Sequence, residues 1–147
     1  METNASRTLT RLAGTWESTG VLVADDGETE AWRGRDIYEF LPGGLHLAHR
    51  VDVVISGERR QSLEILTPSP QPDGGILQTS YEQDGSIEHS KGVVDSRGRY
   101  AIDAGDARAI LAFTGPATMS ARWELRCAAG TWREWMRVTF RRIDASR

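Results

Sequence analysis

Four residues with side chains suited to proton transfer, Asp36, Tyr38, His49 and Glu64, fall in three successive segments that read as β-strands. Alternate residues of a strand share a face, so the turns between strands decide whether the four meet. If Gly57-Glu58 forms a two-residue turn, Ser56 pairs with Arg59. Val51 then lies opposite Glu64, and His49 opposite Leu66. The preceding turn reads in two ways: Leu41 and Gly44 flank Pro42-Gly43, or Pro42 and Leu45 flank Gly43-Gly44. Both put Trp32, Asp36, Tyr38 and Phe40 on the face of Leu47 and His49, and only an odd-length loop would part them. A histidine between two carboxylates is held in orientation and made more basic, which suits a general acid or base. A neighbouring phenol can donate to a developing oxyanion. The chemistry would be a cofactor-independent isomerisation, cyclisation or dehydration. Two other readings of the cluster stand beside it. The groups satisfy one another inside the fold, as buried polar groups must, or they grip the polar end of a bound molecule without reacting.

The same faces carry large apolar side chains. The expected lining is Trp32, Tyr38, Phe40, Leu47, Val51, Trp123, Met136, Val138 and Phe140 around the polar group. An apolar cavity with a few convergent polar groups is the form of a small-molecule site.

The elements that must position these residues are strands almost throughout. Ser6 to Leu12 predicts one short helical turn. Strands are expected over Thr15–Val23, Ala31–Leu41, Leu45–Ile55, Arg60–Leu66, Leu77–Glu82, Ser86–Val94, Arg99–Asp103, Arg108–Phe113, Met119–Cys127 and Trp132–Ile143, with glycine or aspartate in most of the turns. This is the pattern of an antiparallel meander of about ten strands. No stretch is long enough for a crossover helix. Closing the sheet removes its edges. A sandwich would need longer connections, and only Thr67 to Gly75 offers one. The expectation is an all-β, single up-and-down barrel: one domain over 1–147, its ordered core about 9–143. Near the end, Met119, Ala121, Trp123 and Leu125 alternate with polar residues, as Trp132, Met136, Val138 and Phe140 do in the next strand. Trp135 falls on the outward face, a candidate contact in a homodimer.

Composition narrows the function classes. The 147 residues are 39% hydrophobic and 27% charged, a globular balance, with net charge −3. That charge argues against nucleic acid or an anionic membrane as partner. Cys127 is the one cysteine, so no intrachain disulfide forms, and a reducing, cytoplasmic setting is the default. Residues Met1 to Arg7 lack the apolar core of a secretory signal. No apolar run approaches the ~20 residues of a membrane span. His46, His49, His89 and Cys127 show no metal-ligand spacing, and His46 and His49 point to opposite faces of one strand. Neither a phosphate-binding glycine loop nor a Gly-x-Ser-x-Gly nucleophile motif is present.

Gly14-Thr15-Trp16, heading the first strand after a helical turn, resembles the signature of the calycin superfamily. So do Tyr38-Glu39-Phe40-Leu41-Pro42-Gly43-Gly44, His46-Leu47-Ala48-His49-Arg50-Val51-Asp52, Arg122-Trp123-Glu124 and Trp132-Arg133-Glu134-Trp135-Met136. Together they resemble a bacterial lipocalin-like domain family of unknown function over Gly14 to Arg142. The resemblance implies a closed calycin-like barrel, plugged at one end by Trp16 with Arg141 or Arg142 packed over it. It implies no activity. Haem-binding relatives carry an axial histidine near the C-terminal end, where this chain has none, so no cofactor is expected. The expected function is a barrel holding a small hydrophobic or amphipathic molecule. The alternative is an enzyme of the same fold using His49 with Asp36, Glu64 and Tyr38.

Overall fold

A computed structural model describes residues 3–71 and 75–143. One helix, α1 (Asn4–Leu12), precedes ten strands: β1 (Gly14–Val23), β2 (Thr29–Phe40), β3 (Leu47–Ile55), β4 (Glu58–Pro68), β5 (Ile76–Glu82), β6 (Ile87–Val94), β7 (Tyr100–Asp103), β8 (Ala107–Gly115), β9 (Thr118–Arg126) and β10 (Trp132–Ile143). Each strand pairs antiparallel with the next, and β10 pairs with β1, so the sheet is a closed barrel. Closure leaves no edge to be covered, so a meander of this length needs no second layer.

The single helical turn expected at Ser6 is a nine-residue helix starting earlier. Thr3 caps it: its hydroxyl accepts from the Ser6 N–H while Ser6 reaches back to the Thr3 N–H. A serine in place of the usual Glu at the third helical position completes this box, and hides it from a sequence reading. Ala5, Thr8, Leu9 and Leu12 form the buried face.

This helix seals one end of the barrel. Trp16, fully buried, donates its indole N–H to the Leu12 carbonyl at 2.8 Å. Of the two arginines expected over it, Arg142 takes the place. Its guanidinium lies 4.2 Å from the Trp16 ring centroid and donates to the carbonyls of Ala13 and Arg11 at 2.6 Å each. Arg141 faces outward to Glu17. Gly14 permits the approach. A Cβ there would stand 2.3 Å from Arg142 Nη1, and its φ of 134° is one that other residues avoid.

The turns correct one expectation. Ile55 pairs with Glu58, so the β3–β4 turn is Ser56-Gly57, one residue earlier than Gly57-Glu58. Both turn residues have positive φ, 55° and 75°, the type I′ form whose twist suits a hairpin. Serine is not a usual first residue there. Its hydroxyl donates to the Glu30 carboxylate across the barrel rim, which helps hold the turn. The earlier turn slides the register by two residues: His49 faces Glu64 and Val51 faces Ser62. A two-residue slide preserves the faces. Between β2 and β3, Phe40 pairs with Leu47 and Tyr38 with His49, the register of the Gly-Gly alternative but with a longer loop.

The second correction lies in β10. Glu134 pairs with Glu124 and Met136 with Trp123, so Trp135 is the extra residue of a bulge. The bulge reverses the alternation. Met136, Val138 and Phe140 stay inside, whereas Trp132 turns outward between the guanidinium groups of Arg108 and Arg126. Trp135, expected on the outer face, is half-buried with its ring set edge-on to Trp123 at 6.1 Å.

Candidate functional site

Inside the barrel lies a cavity of about 220 Å³. Its wall is two-sided. β8, β9 and β10 contribute Ala109, Leu111, Ala121, Trp123, Met136, Val138 and Phe140, all apolar. β2 to β5 contribute Asp36, Tyr38, His49, Ser62, Glu64, Gln78 and Ser80 among Trp32, Val51, Val53 and Leu66. Leu12 of the helix and Tyr100 and Ile102 of β7 complete it.

The polar half is one continuous chain of hydrogen bonds. His49 Nε2 lies 2.6 Å from Asp36 Oδ2, and His49 Nδ1 lies 3.0 Å from Glu64 Oε1. The other Glu64 oxygen accepts from the Gln78 amide at 3.0 Å, and the same amide donates to Ser90 Oγ at 3.2 Å. Tyr100, with its hydroxyl donating to Gln78 Oε1, ends the chain. Six strands are thereby linked, from β2 to β7. Each member of the chain has at least one hydrogen-bond partner, which offsets part of the cost of burying it.

The local sequence explains each placement. Asp36 and Tyr38 are alternate residues of β2, His49 is the direct cross-strand partner of Tyr38, and Glu64 that of His49. Gln78 pairs with Leu66 and with Ser90, one step further along the same face. Tyr100 reaches Gln78 because β6 has a glycine beneath its ring: a Cβ on Gly92 would lie 2.0 Å from Tyr100 Cε1. The Tyr38 ring lies flat on the imidazole.

The electrostatics follow from burial and pairing. Burial opposes a charge on His49, but its hydrogen bonds to Asp36 and Glu64 and the charges of those two groups prevail, raising its pKa to about 9. At neutral pH it is an imidazolium that donates from both nitrogens. Burial, reinforced by the charges of Asp36 and Glu64, pushes the Tyr38 phenol well up. Burial and the Glu64 charge do the same to Tyr100. Both phenols are therefore neutral at neutral pH.

Of the expected lining residues, Trp32, Tyr38, Val51, Trp123, Met136, Val138 and Phe140 border the cavity. Leu47 and Phe40 do not: Leu47 is fully buried and Phe40 packs against the core, a pair of cross-strand partners near the sealed end. Sequence reasoning missed Leu12, Gln78, Ser80, Tyr100, Ile102, Ala109 and Leu111. The alternation of Gln78, Ser80 and Glu82 was visible, but the proline-rich loop before it hid which face they share with Glu64. Two buried polar atoms among the described residues have no partner, Ser18 Oγ and Trp32 Nε1.

Both nitrogens of His49 are engaged by carboxylates, His46 Nδ1 is bonded to Thr67 outside the lumen, and His89 neighbours Thr79 on the surface. No cluster of His, Cys, Asp and Glu among the described residues is set for a metal ion.

Fold and cavity together define a closed, ten-stranded, lipocalin-like barrel. No family model matches the chain, and no curated protein matches it in sequence. Solved structures do match in fold. One is Rv2717c from M. tuberculosis, 13% identical, with 95% of this chain and 98% of that one covered at a TM-score of 0.69. Another is the S-type phycobiliprotein lyase CPES from Guillardia theta, 10% identical over 95% and 92% at 0.59. A redesigned beta barrel, 15% identical over 94% and 96%, aligns at 0.50. No helix among the described residues is long and apolar enough to cross a membrane.

Proposed function

We propose that this protein binds a small amphipathic molecule in the barrel lumen. The observation that carries the reading is the division of the cavity wall, with an apolar half on β8–β10 facing the polar chain on β2–β7. A filled structural barrel would close that space with side chains, since interiors pack to the density of organic crystals. A wall of this kind takes up apolar surface and fixes orientation at a few polar points. Acid–base catalysis by His49 is the weaker reading. Both of its nitrogens already donate to carboxylates, so a substrate proton could pass only after one of those bonds broke.

The test is binding of 1-octanol, followed by the fluorescence of the lumenal tryptophans and by calorimetry. Wild type is expected to bind at a single site. Ala121→Phe places a ring in the lumen from β9 without touching the polar chain. It is expected to abolish binding while the far-ultraviolet circular dichroism is retained. Failure of wild type to bind any eight-carbon amphiphile, neutral or charged, or unchanged binding by the folded variant, overturns the proposal.

A further inference from the structure

We propose that the occupant of the lumen is an organic cation: a protonated amine on an apolar body, its ammonium group seated against Asp36. This rests on the lumen being a binding site and names the ligand class it takes.

The first argument is charge. The cavity wall holds two carboxylates, Asp36 and Glu64, and one imidazole, with no lysine or arginine. Arginines at the two ends have partners of their own, Arg60 at the open end lying 3.9 Å from Glu58. Arg142 binds the carbonyls of Ala13 and Arg11, and Arg133 binds the Val23 carbonyl and Asp25. Even with His49 charged, the lining holds one more acidic side chain than basic ones. An uncompensated charge in a low-dielectric interior is costly, and a ligand cation supplies the missing partner.

The second argument is the inventory of donors and acceptors. His49 spends both N–H groups on Asp36 and Glu64. The Gln78 amide nitrogen donates to Glu64 and Ser90, and the Tyr100 hydroxyl to Gln78. The charged and amide donors of the polar wall are thus used up, and a carboxylate head group would meet only neutral donors, the hydroxyls of Tyr38 and Ser62 and the unpartnered indole N–H of Trp32. An acceptor is left over instead. Asp36 borders the cavity at only 5% exposure, and its second oxygen, Oδ1, takes no hydrogen bond from any described residue. An ammonium group has donors and no acceptor, the complement of that oxygen. Trp32 beside the polar chain and Trp123 across the lumen supply aromatic rings that suit a cation as well as a hydrocarbon.

The experiment compares octylamine, 1-octanol and octanoate on the full chain at pH 7, with tryptophan fluorescence and calorimetry as readouts. Octylamine is expected to bind about tenfold or more tighter than 1-octanol, the scale of a charge-assisted hydrogen bond, and octanoate weakest of the three. In Asp36→Asn the amine-to-alcohol affinity ratio is expected to fall toward one. If 1-octanol or octanoate binds as tightly as octylamine, the amine assignment is overturned while the binding site stands. If none of the three binds, the site itself fails. The wild-type ranking decides the question even where the variant does not fold.

Discussion

The rings of Tyr38 and His49 lie parallel, their centroids 4.0 Å apart and their planes inclined by 8°. They are direct cross-strand partners on β2 and β3, and the stack clamps the imidazole between the Asp36 and Glu64 carboxylates. The imidazole plane is therefore set by a neighbour that carries no charge of its own. This orientation gives the lumen its charge pattern.

The pairing predicts a specific titration. The His49 pKa rises from 6.5 to about 9 on folding. The corresponding stabilisation, roughly 3 kcal/mol, is fully present below about pH 6.5 and is lost as the pH rises through about 9. Urea unfolding between pH 6 and pH 10 should show this decline, and the His49 imidazole signals in a proton NMR titration should move near pH 9. A midpoint below pH 7 would contradict the double ion pair.

Removing the imidazole should expose the repulsion it masks. His49→Ala leaves two carboxylates on one buried wall and is expected to cost about 3 kcal/mol or more. Adding Asp36→Asn and Glu64→Gln to that variant should recover much of the loss, although each alone destabilises the wild type. Denaturant unfolding of the set measures the coupling, and strict additivity would refute it.

Gly92 is predicted to be indispensable to the far end of the chain. A methyl group there collides with the Tyr100 ring, which is 2% exposed and cannot withdraw into solvent. Gly92→Ala should lower stability by about 1–3 kcal/mol. In a Tyr100→Leu background the same change should cost less, because the obstructed ring is gone. Thermal melts of the four proteins distinguish this from a simple effect on strand propensity.

The two adjacent arginines of β10 should respond differently to the same substitution. Arg142→Lys loses the planar stack on Trp16 and at least one carbonyl partner, at about 1–2 kcal/mol. Arg141→Lys replaces one end of an exposed pair with Glu17 and should change stability by less than about 0.5 kcal/mol. Equal losses would place the plug elsewhere.

Much of this was legible in the order of residues. Strand lengths, short turns and the want of any crossover element required a meander, and closure follows from the cost of an open edge. The shared face of Asp36, Tyr38, His49 and Glu64 was also legible, because side-chain parity survives any even error in a turn. Placing the turn at Gly57-Glu58 instead of Ser56-Gly57 displaces the expected register by two residues and leaves the cluster intact.

What only the tertiary structure decided depends on odd shifts and on distant strands. The bulge at Trp135 inverts the alternation of β10 and sends Trp132 outward, and one extra residue leaves no mark in a pattern of period two. Gln78 and Tyr100 join the polar chain through β5 to β7, beyond a proline-rich loop that breaks the turn arithmetic. Barrel closure brings the apolar strands β8–β10 across from the carboxylates, and that opposition makes the lumen two-sided. Local sequence sets which face a side chain takes, but only the closed sheet sets what stands opposite it.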